Sequence, residues 1–311
     1  MKEQKSDLLV FNKIYELYSH LGVIPESLHP KIEFSIYNLG AFPIPRGYKS
    51  PVYRANFFSF VFVKNANGYC SSDYRLFETR PGTIYFNNPG HIKQFSMDYV
   101  DELYLITLDE GFLKANVHAR IFDEFSFLLS EVVPPQVLPP EQFGEFEQLY
   151  LQIETAYRSA SPYRWKLIGH LFVAILVKIK EYFWKDYDPM ADGDRASQIV
   201  KSFKKMIEKH YRDLSSGLLE RPHRLQEYAD MLSLHPNYLN TVIRTKTGKS
   251  VGNWIVEKTI AEAKSLLRNS DLPVKEISYR LGFLESQHFS NYFKKHTQYS
   301  PVVYRQGMGM N

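Results

Sequence analysis

Asn237, Asn240, Thr241 and Arg244 stand at i, i+3, i+4 and i+7, a spacing that places all four on one face of a helix. Gln287, Ser290, Asn291 and Lys294 repeat that spacing fifty residues later, with Ser286 beside them. A carboxamide can pair bidentately with an adenine edge, and a hydroxyl can donate to or accept from a base or touch the thymine methyl. Asn, Ser and Thr are poor helix formers, and a merely solvated face would favour Glu and Lys. Two such stripes in register therefore suit helices that enter the major groove of DNA. The base-contact candidates are Asn237, Asn240, Thr241, Ser286, Gln287, Ser290 and Asn291. Arg244, Lys246, Lys294 and Lys295 are the candidates for phosphate, which positions a protein without reading sequence.

The elements that must hold these stripes repeat as well. Leu239 and Ile243 point away from the first stripe, and Phe289 and Phe293 stand fifty residues on. Apolar spacing predicts a helix over 198–211 and a short one over 225–232. Another starts at Pro236, a favoured first-turn position, and ends at Gly248. A long helix over 251–268 follows, then a short helix through Ile277 and Leu281, a tight turn at Gly282 and a last long helix closing near Ser300-Pro301. This is an internal duplication of helix, turn and helix joined by one connecting helix.

Charge agrees. From Gln198 to the end there are 18 Lys and Arg against 10 Asp and Glu, whereas the rest of the chain has 20 against 24. A basic third on an acidic body implies a polyanionic partner.

The first part of the chain has another texture. Between about 31 and 108, short β-branched and aromatic runs ("KIEFSIY", "FFSFVFV", "YRLFET", "TIYF", "HIKQFS", "LYLITL") alternate with turn signals at Asn67-Gly68, Pro81-Gly82 and Pro89-Gly90. They predict a β-barrel or sandwich. "ETRPGTIYFNNPGHIKQF" resembles the second half of a cupin-type barrel. Many cupins are metal enzymes, so an alternative is a cupin-type metal enzyme with an appended helical domain. Such a site needs several converging His and carboxylate ligands, and His91 is the one histidine in this stretch. No metal, cofactor or catalytic residue is assigned. Tyr53, Phe58, Phe60, Tyr85 and His91 are candidates for a ligand pocket, and equally for core.

Helices are predicted over 6–21, 141–158 and 162–184. The last is apolar enough to bury more than one face, either on the barrel or against a second chain. "WKDYDPMADGDRAS" reads as a linker. The lone Cys70 excludes a disulfide within one chain and fits a reducing compartment. The N-terminus lacks a signal-peptide core, and the longest apolar run, 171–177, is far below the ~20 residues of a membrane span. The expectation is a cytoplasmic protein with no membrane partner.

"LQEYADMLSLHPNYLNTVIRTKTGKSV" followed by "PVKEISYRLGFLESQHFSNYFKKHTQYSPVVYR" resembles the DNA-binding domain of the AraC/XylS-type transcriptional regulators. The signature falls on Ile277, Gly282-Phe283, Phe289, Phe293-Lys294, Ser300-Pro301 and Tyr304-Arg305. Three positions depart from it. Gln298-Tyr299 stands where a glycine usually precedes Ser-Pro, Thr259 where an arginine is common, and Ser278 at a usual alanine. The resemblance implies two recognition helices entering the major groove on one face of double-stranded DNA, about one helical turn apart. It also implies a sensory N-terminal domain bound by a small-molecule effector or partner, a homodimer, and contact with RNA polymerase if the protein activates. The expected architecture is an α+β multidomain chain: a cupin-like β-barrel over 1–140, a helical hairpin for packing or dimerisation over 141–185, a linker over 186–197, and an all-α double helix-turn-helix domain over 198–311.

Overall fold

The structure, a computed structural model, describes residues 8–25, 28–117, 120–129, 133–183 and 194–306. Along the chain come β1 (Leu9–Phe11), α1 (Ile14–His20), β2 (Phe34–Asn38), β3 (Tyr48–Lys49), β4 (Tyr53–Ala55), β5 (Phe58–Ser72), β6 (Arg75–Thr79), β7 (Thr83–Asn87) and β8 (Ile92–Leu108). Short helical turns α2 (Glu110–Phe112) and α3 (Ile121–Glu124) follow, then β9 (Gln136–Val137), α4 (Pro140–Arg158) and α5 (Arg164–Phe183). The last stretch holds α6 (Arg195–Ser215), α7 (Leu225–Met231), α8 (Pro236–Thr247), α9 (Val251–Asn269), α10 (Val274–Arg280), α11 (Ser286–Thr297) and α12 (Pro301–Arg305). Two compact units result: 1–109 with 131–187, and 110–130 with 188–311. Most of the expected linker lies outside the described residues.

The first unit is one mixed nine-stranded sheet ordered β1-β4-β8-β5-β7-β9, with β2 and β3 also on β8 and β6 on β5. Two runs read as separate strands, "HIKQFS" and "LYLITL", are one continuous strand, β8, which pairs antiparallel with nearly the whole of β5. Asn67-Gly68 makes no turn. It lies inside β5 at a register shift, where a Cβ on Gly68 would sit 2.1 Å from the Ser96 carbonyl oxygen, so the glycine permits a bulge. The hairpin turn comes at Asp73-Tyr74, whose φ values of 46° and 67° are those of a two-residue primed turn. At the start of the chain, Leu9–Phe11 pairs parallel with β4 and α1 covers only Ile14–His20. Apolar Leu-Val-Phe at the start of the expected helix is taken up by the sheet edge instead.

Period-2 alternation gives the sheet two faces. Val61, Val63, Tyr53, Met97, Leu103 and Leu105 share one core with Ile14, Leu17 and Tyr18 of α1. On the other face Phe60 packs on Phe172 of α5, while Phe62 and Tyr104 meet Tyr150 of α4.

In the second unit α9 is the common wall. Its Val251 and Trp254 belong to a core with Phe203, Tyr211, Tyr228, Leu239 and Ile243. Its Ala263 and Leu267 belong to another with Ile277, Leu281, Phe289, Phe293 and Tyr304. The polar side of α9 is not solvated as a connecting helix's outer face would be: Lys258, Thr259, Glu262, Lys264 and Ser265 are all buried. Residues 110–117 cover it, although the sequence placed them with the barrel. Lys114 pairs with Glu262, with Glu208 at 3.0 Å and with Glu110 at 3.6 Å. Lys258 pairs with Glu208, and with Glu110 at 2.8 Å. The Lys114 carbonyl accepts from Ser265 Oγ at 3.1 Å and Asn269 Nδ2 at 3.2 Å. Removing one partner of such a buried set strands a charge and costs ~3–5 kcal/mol.

The three departures from the family pattern are absorbed locally. Thr259 Oγ1 lies 2.7 Å from the Tyr211 hydroxyl, joining α6 to α9. Ser278 Oγ donates to the Lys275 carbonyl at 2.7 Å. Gln298 ends α11 in the left-handed conformation, φ 68°, as Gly248 ends α8 at φ 78°. A side chain there costs ~1–2 kcal/mol, so Gln298→Gly is expected to raise the unfolding free energy by about 1 kcal/mol in urea titration. An unchanged or lower midpoint would contradict this assignment.

His210, buried against His223 with ring centroids 3.7 Å apart, accepts from the His223 backbone N–H at 3.0 Å. Burial, then the neighbouring His223, push its pKa down to about 4. The unfolded chain, near 6.5, then binds more protons between those values, so stability is full above pH 6.5 and falls as pH drops towards 4. The protection factors of the α6 amides in the full chain, taken against the intrinsic exchange rate at each pH, should fall as pH drops through that window, and His210→Gln should flatten the response.

Candidate nucleic-acid interface

Helices α8 and α11 are both twelve residues long and start fifty residues apart. Their inward residues are fully buried: Leu239 and Ile243 in one, Phe289 and Phe293 in the other. The outward stripe matches position by position. Asn237, Thr241 and Arg244 are exposed, as are Gln287, Asn291 and Lys294, while Asn240 and Ser290 are half-buried. The closing turns are built alike. Thr247 Oγ1 donates to the Ile243 carbonyl and accepts from Lys249 N–H; Thr297 Oγ1 donates to Phe293 and accepts from Tyr299. Ser250 and Ser300 then cap the next helix through the N–H three residues on.

The offset shortens before the stripes. Buried Tyr228 and Ala229 correspond to Ile277 and Ser278, forty-nine residues on, and positive-φ Ser233 corresponds to Gly282. The second turn is thus one residue longer. Glycine is required at 282: φ is +79°, and a Cβ would lie 2.6 Å from Pro222 Cδ and 2.8 Å from Arg221 Cα. Phe283 from that turn packs on Phe289 and Tyr292.

Within the stripes the candidates separate. Asn240 Oδ1 accepts the Val251 N–H at 3.0 Å, so half of its amide is committed to starting α9. Ser290 Oγ donates back to the Ser286 carbonyl at 2.9 Å. Asn240 thus ties α8 to α9, whereas the Ser290 bond stays within α11, and their neighbours along the stripes face outward. Gln287 Nε2 lies 3.4 Å from Asn291 Oδ1, a contact across one turn that leaves both amides exposed. Lys246 is half-buried, its ammonium 3.3 Å from Asp194 and 3.1 Å from Ser197 Oγ, so it ties α8 to α6. Arg244, Lys294 and Lys295 are exposed. Sequence reasoning passed over Tyr238 and His288, exposed at matching positions beside the stripes. Their signal was available: two large rings on otherwise polar helix starts.

Of the five ligand-pocket candidates, Tyr53 and Tyr85 line a pocket of the sheet unit with an empty volume of ≈ 350 Å³ including its mouth. Phe58 and Phe60 do not. They alternate with Val61 and Val63 along β5, and Phe60 stacks on Phe86 and packs on Phe172. His91 also lies outside the lining, with Nδ1 2.7 Å from Asp73 Oδ2.

A pair of helix-turn-helix units sharing one wall, with matching polar faces, is a DNA-binding architecture. Residues 228–307 match the family described as helix-turn-helix domain. The chain is 26% identical over 300 residues to the HTH-type transcriptional activator RhaS of Citrobacter koseri, covering 92% of this chain and 94% of that one. It is 25% identical over 271 residues to the RhaS of Escherichia coli, covering 83% and 88%. Among solved structures, the C-terminal domain of AraT, a response regulator from Geobacillus stearothermophilus, is 30% identical over 37% of this chain and 88% of that one, with a TM-score of 0.32. ToxT from Vibrio cholerae is 14% identical over 88% and 98%, with a TM-score of 0.38. Over most of its length the chain is thus similar to HTH-type transcriptional activators, and residues 228–307 carry the helix-turn-helix domain.

Gln287→Ala and Asn291→Ala are each expected to cost roughly 1–3 kcal/mol on a cognate site and almost nothing on non-specific DNA. Lys294→Ala should weaken all sequences alike and lower the salt slope by about one. Asn240→Ala should instead lower thermal stability. Fluorescence anisotropy across salt concentrations checks the set; equal losses on every sequence for Gln287 and Asn291 would remove their reading role.

Proposed function

We propose that this regulator reads a double-stranded operator with both α8 and α11, under control of a small molecule held by the sheet unit. The duplicated stripe carries the reading. Asn237, Thr241, Gln287 and Asn291 are the base-reading residues, Ser286 supports them at the start of α11, and Arg244, Lys294 and Lys295 bind phosphate. The relatives named above are called transcriptional activators, which favours activation, and hence a contact with RNA polymerase, for this chain. The site of action is the cytoplasm, where DNA is; among the described residues no helix is long and apolar enough to cross a membrane.

A homodimer through α5 completes the proposal. Leu167 and Val177 are 50% and 46% exposed, with half-buried Leu171 and Ala174 between them. The stripe is left over after Ile168, Phe172, Ile175, Leu176 and Ile179 are buried, and a copy of the same helix would cover it. The match of residues 228–307 to a helix-turn-helix family and the likeness to transcriptional activators favour this reading over the metal-enzyme alternative.

Selection of bound sites from random DNA, with and without cell extract, tests the proposal. A conserved sequence spanning two adjacent major grooves is expected, with extract changing its occupancy. Enrichment of no sequence would refute operator reading. In sedimentation, Leu167→Glu with Val177→Glu should convert dimer to monomer.

A further inference from the structure

The extra residue in the turn of the second helix-turn-helix unit is Leu284. The Leu234 N–H donates to the Ala229 carbonyl at 2.9 Å, and the Phe283 N–H donates to the Ser278 carbonyl at 2.9 Å. Leu234 and Phe283 are therefore equivalent, forty-nine residues apart. His235 and Glu285, which precede α8 and α11, are fifty apart. Leu284 falls between Phe283 and Glu285 and has no counterpart in the first unit.

The core has no place for it. Leu234 packs against the first core, and Phe283 packs against the second. Leu284 is left 91% exposed, the most exposed large apolar side chain among the described residues. A turn residue so exposed is ordinarily Ser, Asn, Asp or Gly, so the fold itself gives no reason for a leucine.

Position gives it a use. Leu284 stands two residues before Ser286, the first residue of α11, and three before Gln287 of the exposed stripe. The first residues of a recognition helix are the ones that reach base edges. Glu285 beside it has a side chain 66% exposed. A carboxylate is repelled by phosphate, so this corner suits the floor of a groove better than the backbone. The apolar group on the floor of the major groove is the thymine 5-methyl. A solitary leucine among polar neighbours is too small for a protein interface, which takes a contiguous apolar patch. It is the right size to cover one methyl.

We infer that Leu284 packs on the 5-methyl of a thymine next to the bases that α11 reads, and so adds one thymine to the sequence that the second unit selects. The inference rests on the reading of α11 as a major-groove helix and names one base of its target.

The test uses the full chain and an operator selected from random DNA. Each thymine is replaced singly by deoxyuridine, which deletes the methyl and keeps the base pairing. One replacement should weaken wild-type binding about fourfold, the worth of one buried methyl group. Leu284→Ser should weaken the unmodified operator by the same factor and bind it and that deoxyuridine form equally. Leu284→Met should keep the preference. Both variants should melt with the wild type, because the side chain is exposed. The contact is refuted if no deoxyuridine operator binds the wild type more weakly, or if every such loss is equally large in Leu284→Ser. A lower melting temperature for Leu284→Ser would instead assign the residue to the fold. Full operator affinity with lost transcription by added RNA polymerase would assign it to a protein partner. Either result overturns the inference. Failure of the underlying reading looks different: no sequence is selected, or Gln287→Ala and Asn291→Ala bind the selected operator as wild type does. Failure of the leucine contact alone leaves the selected operator and both of those losses in place.

Discussion

Everything in the DNA-binding unit depends on α9 being a rigid wall with a hydrophobic core at each end. Val251 and Trp254 close the first helix-turn-helix, and Ala263 and Leu267 close the second. The distance and rotation between α8 and α11 are then properties of one helix rather than of a flexible joint. Arg305 secures the far end, donating from Nε to the Leu267 carbonyl at 3.2 Å and from Nη2 to that of Leu272 at 2.6 Å. The first satisfies a carbonyl that the end of α9 otherwise leaves open, and the second holds the loop that follows it. Tyr211 and Thr259 hold the middle. In the proposed mode of binding, two readers of fixed separation engage one DNA face as a unit, so the second engages at high effective concentration once the first is seated.

The polar middle of α9 explains why residues 110–130 belong to this unit. Lys258 and Glu262 are buried and would be intolerable under an apolar cover. Lys114, Glu110 and Glu208 supply the opposite charges. A buried set of this kind adds little net stability compared with a well-packed apolar one. Its effect is selective, because a displaced segment would leave charges unpaired. The consequence is a single docking register for residues 110–117 on α9.

The local features were legible in the sequence wherever periodicity and turn chemistry agreed. The stripe around Asn240, its copy around Ser290, the Pro236 start and the Gly248 stop needed no tertiary information. Others were invisible because a distant partner decided them. Local pattern does not show that the Asn240 side-chain carbonyl also accepts the N–H that starts α9, or that Lys246 pairs with Asp194. Nothing local distinguishes Phe60 from Tyr85, since both are aromatics in apolar strands; the alternation of β5 and the presence of α5 on one face separate them. Gly68 read as a turn because Asn-Gly usually is one, whereas the neighbouring β8 strand needed a bulge there. Gln298 was the residue without a role, and its left-handed φ shows it filling the place of Gly248 at a conformational cost.

The central claim is that α8 and α11 of one chain both lie in the major groove, in register. Cleavage by an iron chelate attached at Tyr238→Cys or, separately, at His288→Cys tests it most directly, because the native Cys70 is buried and both chosen positions are exposed beside the stripes. On a selected operator the account predicts two cleavage centres about 10 base pairs apart, on the same face of the duplex. Cleavage from one position only, or from both at a single centre, would contradict it.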